Sequence, residues 1–132
     1  MPYDFALIEN LCKEIGFPSV VRSIELLKVQ LSKDIELCFQ NSEKERDCLV
    51  GFNGTPWHTH GDFIFSNNEK SIEMDYLDVL IGLKDGTVLV CELWQQNEVK
   101  DRWLTHSQYN DEFQYMGQGE EIRVHRPKVP PR

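Results

Sequence analysis

The stretch Asp75-Tyr-Leu-Asp-Val-Leu-Ile-Gly-Leu-Lys-Asp-Gly-Thr-Val-Leu-Val-Cys-Glu-Leu-Trp94 can be read in two ways, and the choice decides the fold. Leu77, Val79, Ile81 and Leu83 alternate as in a strand that feeds a turn at Asp85-Gly86. Leu77, Leu80, Ile81 and Leu83 also suit one face of a short helix. Asp75 then caps its start, Asp78 stands three positions on as in a capping box, and Gly86 stands where a C-terminal glycine belongs. A strand from Ser71 to Lys84 would be long against the usual ~5–6 residues. The helix is favoured, although Gly82 inside it costs ~1 kcal/mol relative to alanine. Thr87 to Trp94 is a strand under either reading. Its apolar start shows no alternation, which predicts a central place in a sheet.

Toward the N-terminus, Ser71–Met74 reads as a strand reached through a turn at Asn67–Lys70. Residues 57–66 read as one strand, with Trp57, Phe63 and Phe65 toward the core and the even positions toward water. Cys48–Phe52 is a short strand joined to it through Asn53-Gly54, a strong hairpin signal. Asn41 to Asp47 is a charged loop. Ile35, Leu37 and Phe39 alternate with polar residues in a strand over 34–41. Residues 20–31 fit a helix through Val20, Val21, Ile24, Leu27 and Leu31, or a strand through Leu27, Val29 and Leu31. Residues 4–15 predict a helix, with Phe5, Ile8, Leu11, Cys12 and Ile15 at helical spacing, Asp4 as cap and Gly16 at the end. Beyond Trp94, Gln95–Glu98 is a polar loop, Arg102–Thr105 a strand, Asn110–Met116 a helical turn and Glu121–His125 a last strand. The sum is α+β: an N-terminal helix packed on a mostly antiparallel sheet of about five or six strands, with one or two short helices. Residues 1–126 read as one globular domain and 127–132 as a Pro-rich basic tail.

Charge is the next strong signal. Residues 1–121 hold all 22 acids but only 10 of the 14 Lys and Arg, a net of −12, whereas Ile122 to Arg132 carry Arg123, Arg126, Lys128 and Arg132 and no acid. An acidic body repels phosphate backbones and attracts basic proteins. That argues against a nucleic-acid partner, and four basic residues without an aromatic make a weak signal for one in the tail. The 14 aromatics are enough for a real core. No apolar run approaches the ~20 residues of a membrane span, and no basic and apolar opening marks a secretory signal. A cytoplasmic protein is expected. Cys12, Cys38, Cys48 and Cys91 are widely spaced and lack a C-x-x-C; they read as reduced thiols.

His58-Thr-His-Gly-Asp62 is the sharpest chemical motif. On a continuous strand His58, His60 and Asp62 share a face and could hold zinc or iron. The spacing resembles the H-x-H-x-D opening of the metallo-β-lactamase metal motif, but the next residue here is Phe63 where that family has His. A metal-dependent enzyme is therefore the competing functional class, set against a solvated strand face that binds no metal. Asp78 and Glu92 echo the magnesium-binding carboxylates of restriction-type nucleases. Trp94 stands where a Lys is expected, and a helix over 75–84 would break the pair. Glu92 itself interrupts an apolar strand: either the strand leaves the core there, or the carboxylate is buried and paired. No phosphate loop, nucleophile elbow or cofactor motif is present.

Aromatics and acids concentrate between Asp101 and Met116. Trp103 and Tyr109 with Asp101, Asp111 and Glu112 suit a protein-binding surface, the alternative being a solvated loop with one or two residues tucked in. Small size, acidity and an α+β single domain together resemble the immunity proteins of bacterial toxin–immunity systems. The resemblance is one of type and carries no family residue onto a numbered position. It implies a non-enzymatic protein, without cofactor, that neutralises a cognate and basic toxin of nuclease type by stoichiometric binding. A subunit or adaptor without a toxin partner is the third class.

Overall fold

Asp75 decides the stretch that the sequence leaves open. Its side chain accepts a hydrogen bond from the Asp78 N–H at 2.8 Å, which caps a helix. The computed structural model describes residues 3–42, 48–67, 69–109 and 119–127. Its elements run α1 (Phe5–Ile15), β1 (Ser19–Ser23), β2 (Leu26–Ser32), β3 (Ile35–Asn41), β4 (Cys48–Phe52), β5 (His58–Thr59), β6 (Phe63–Ser66), β7 (Ser71–Met74), α2 (Tyr76–Asp85), β8 (Val88–Gln95), β9 (Glu98–His106) and β10 (Glu120–His125). The chain is α+β with a helix at its N-terminus. β1 to β5 form a five-stranded antiparallel meander, β8 lies between β10 and β9, and β6 and β7 form a hairpin of their own. The expected single sheet is thus accompanied by two smaller ones.

α2 ends at Gly86, whose φ of 90° is the left-handed conformation that glycine tolerates. Gly82 has a packing reason to be inside the helix. A Cβ at that position would lie 2.7 Å from Cγ2 of Val88, so only glycine lets α2 approach the start of β8 so closely. α1 shows the same grammar: Asp4 accepts from the Leu7 N–H at 3.1 Å, and Gly16 closes the helix at φ 92°. The chain before it is tied down by Asn41, whose side chain accepts from the Tyr3 N–H at 2.8 Å and donates to the Tyr3 carbonyl at 2.9 Å.

Residues 20–31 are two strands with a turn between them. The apolar residues that suggested a helix, Val20, Val21 and Ile24, are exposed, Ile24 to 75 %. Leu27, Val29 and Leu31 are fully buried, and β2 pairs with β3 so that Leu27 faces Phe39 and Val29 faces Leu37. This makes one apolar sheet face. α1 adds Ile8 and Cys12 to the same core, α2 adds Val79, Leu80 and Leu83, and β8 adds Val88 and Val90.

Two sequence readings need correction. Residues 57–66 are not one strand. β5 stops after Thr59, the chain turns at Gly61 with φ 96°, and β6 starts a different sheet. Alternating Trp57, Phe63 and Phe65 concealed that break, and the glycine was its only mark. The loop expected over Gln95–Glu98 is a two-residue hairpin turn at Gln96 and Asn97, both at positive φ (53° and 65°), a geometry that matches strand twist. β9 is accordingly longer than expected. The helical turn read at Asn110–Met116, most of the charged loop before Cys48 and the end of the basic tail lie outside the described residues.

Candidate functional site

A groove of ≈ 380 Å³ opens between the β5–β6 corner and β9, lined by Trp57, His58, Asp62, Phe63, Phe65 and Trp103 among others. Local structure fixes each wall. The Trp57 N–H donates to Asp101 Oδ1 at 2.9 Å, and its ring leans on Phe52 with centroids 5.9 Å apart. Phe63 and Phe65 are buried, so the residue between them must point outward on the strand. That residue is Ile64, 59 % exposed, which also lines the groove. Glu73 is its register partner on β7. Among the described residues no Lys or Arg lines the groove. The lining mixes aromatic and aliphatic side chains with the polar His58, Thr59, Asp62 and Ser66.

The residues expected to bind a partner are distributed unevenly around this groove. Trp103 lines it. Asp101 Oδ1 accepts from the N–H groups of Trp57 and Arg102, both at 2.9 Å, and so holds the tryptophan's backbone in place. Tyr109 packs behind the groove: its ring is 4.9 Å from His106, which lies 5.8 Å from Phe65. Burial lowers the pKa of His106, whose Nδ1 accepts from the Gln108 N–H at 3.0 Å. Asp111 and Glu112 lie outside the described residues. Trp57, Ile64 and Asp62 also line the groove, and the sequence reading did not group them with Trp103. Only Ile64, an apolar residue on the expected polar face, gave a signal.

His58, His60 and Asp62 are all exposed. The turn at Gly61 removes the continuous strand that would have aligned them. The two imidazole rings meet edge to face at 5.4 Å, and Asp62 uses its carbonyl to accept from Thr59 Oγ1 at 3.0 Å. Among the described residues no group of three or more His, Cys, Asp and Glu is placed to hold a metal ion. Asp78 sits in the first turn of α2 and Glu92 on β8, so the nuclease-like pair does not assemble on adjacent strands.

Glu92 is the buried and paired carboxylate of the two alternatives. It is 4 % exposed. Oε2 accepts from Arg102 Nε at 2.7 Å, and Oε1 contacts His125 Nε2 at 2.5 Å and Trp94 Nε1 at 3.3 Å. The strand register brings these groups together, since Arg102 on β9 and Arg123 on β10 both face Glu92. Arg123 then stacks on Trp94, 4.0 Å from the ring centroid, and pairs with Glu121 at 3.2 Å. Burial by itself raises the Glu92 pKa, but the hydrogen bonds from Arg102, Trp94 and His125 outweigh it and hold the carboxyl below its ordinary value. Arg126 donates to the Lys84 carbonyl at 3.1 Å, across the end of α2. Arg123 and Arg126, the described basic residues near the C-terminus, are exposed and each has a partner within the chain.

All four cysteines are free thiols, Cys12 and Cys91 buried. Among the described residues no helix is long and apolar enough to cross a membrane. Compared with protein-family models, curated proteins and solved structures, the chain matches none.

Proposed function

We propose that this chain is a small acidic binding protein of the immunity type, which neutralises a basic protein toxin in the cytoplasm by occupying it stoichiometrically. The observation that carries the reading is the groove between the β5–β6 corner and β9. It joins Trp57 and Trp103 with an outward-facing Ile64, and carboxylates stand beside it at Asp62 and Glu73. Tryptophans are among the side chains that most often dominate binding energy at protein interfaces. Carboxylates around it, on a chain of net charge −8, suit a partner of opposite sign and speed the encounter. A nucleic-acid ligand fits poorly, because among the described residues no Lys or Arg lines the groove.

The test is co-expression with the product of the adjacent gene, followed by binding kinetics with purified proteins. Toxicity of that product alone, relieved by this chain, is expected. Trp103→Ala should weaken the complex by ~2 kcal/mol or more through faster dissociation, whereas Asp62→Asn should mainly slow association. If protection persists in the Trp57→Ala and Trp103→Ala variants, the groove is not the interface. If no neighbouring product binds, the immunity reading fails.

A further inference from the structure

Buried ion pairs are poor devices for stability, since apolar residues of similar volume usually do as well. A carboxylate placed at Glu92, in the middle of an apolar strand, therefore calls for another role. Its surroundings suggest one. Glu92, Trp94, Arg102 and His125 line a cleft of ≈ 430 Å³ whose opposite wall is the turn between β2 and β3, with Lys33 and Asp34, and whose end is Arg126. This cleft shares no lining residue with the groove assigned to the protein partner.

The charge balance of the cleft runs against that of the chain. Lys33, Arg102 and Arg126 bring fixed positive charge, against Asp34 at the turn and a Glu92 whose two oxygens are both engaged. Arg102 meets Glu92 through Nε, so its terminal Nη pair is not spent on that bond. The side chain is only 14 % exposed and is held in one orientation by a carboxylate that is itself gripped from two other sides. A guanidinium fixed through Nε presents a flat fork of parallel N–H donors, the shape that grips a carboxylate or a phosphate with two hydrogen bonds. Lys33 also lines the cleft as an exposed point charge, and Trp94 offers an aromatic wall on which Arg123 stacks.

The geometry points to a small-ligand site in this cleft that takes an oxyanion, a carboxylate or phosphate group, on the Nη edge of Arg102 with Lys33 closing over it. Glu92 is the positioning residue: it orients the guanidinium without touching the ligand. The site is independent of the toxin-binding reading.

The experiment is a titration of the full chain, followed by amide and indole N–H resonances, with inorganic phosphate in one arm and acetate in another. Sodium chloride at matched ionic strength is the control. Saturable shifts at Ser32–Ile35 and the Trp94 indole are expected, and the arm that saturates at lower concentration tells a phosphoryl ligand from a carboxylate one. Arg102→Lys keeps the charge but loses the fork, and should weaken binding at least about tenfold, the worth of one charge-assisted hydrogen bond. Glu92→Gln separates positioning from plain electrostatics. Removing a negative charge would tighten anion binding if the cleft were only a positive sink; positioning requires that binding weaken. Should the Glu92 variant fail to fold, Lys33→Gln on the exposed turn must still weaken binding severalfold. Absence of saturation in both arms, tighter binding by Glu92→Gln, or unchanged binding by Lys33→Gln overturns the proposal.

Discussion

Gly82 and Glu92 are the two residues whose chemistry looks wrong for their element, and each is explained by what it meets. For Gly82 the neighbour is Val88, 2.7 Å from where a Cβ would stand. Alanine is the better helix former by ~1 kcal/mol, yet Gly82→Ala is expected to destabilise by about 1–3 kcal/mol through overpacking. Urea denaturation measures it, and Val88→Ala in the same chain should recover part of the loss. For Glu92 the consequence is acid sensitivity. Its folded pKa lies below the ordinary value, so its contribution is present above about pH 4.3 and is lost as the pH falls from there through the folded value. His106 acts in the same direction higher up. Its folded pKa is lowered, so its contribution is present above about pH 6.5 and is lost as the pH falls from there through the folded value. Unfolding free energy should therefore decline in two stages on acidification, and His106→Gln should flatten the upper one alone. The Cys12 thiol, pushed up to about 11 by burial and by Glu9, should resist alkylation at neutral pH until the chain unfolds.

At the scale of elements, the caps carry the strongest local instructions. Asp75→Ala removes the acceptor for the Asp78 N–H and should cost ~1 kcal/mol, measured by thermal or urea unfolding. The same caps explain what could be read in advance. Asp4, Gly16, Asp75 and Gly86 bound both helices in the sequence, and the alternation Ile35, Leu37, Phe39 gave β3 with its buried face. Local pattern failed where both faces of a strand share the same fate. Val20 and Val21 on the edge strand β1 are both exposed, which erased the period and left helix and strand equally plausible. It failed again at Gly61, where one residue of positive φ moves the chain between sheets while the flanking aromatics keep their rhythm. The site was legible only in part. Trp103, read in the sequence as a partner-binding residue, lines the groove. Its neighbours Trp57 and Ile64 come from distant sequence and meet it through tertiary packing, which no local spacing encodes. The Glu92 network is hidden for the same reason: Arg102 and His125 reach it across two strand pairings.

For the whole molecule, charge and groove make one statement about partners. On the proposed function, a chain of net charge −8, whose groove has no Lys or Arg among the described residues, should meet a basic protein quickly and hold it by packing. These two contributions respond differently to salt. Long-range attraction acts on encounter and is screened over ~8 Å at physiological ionic strength, whereas desolvated aromatic contacts set the lifetime of the complex. The most direct test is the association and dissociation rates with the adjacent gene's product at low and high salt, for the native chain and for Trp103→Ala. The account expects an association rate that falls steeply with salt, a dissociation rate that barely changes, and a Trp103→Ala complex that forms at the native rate but dissociates at least about tenfold faster. Salt-insensitive association, or a Trp103→Ala complex as long-lived as the native one, would contradict it.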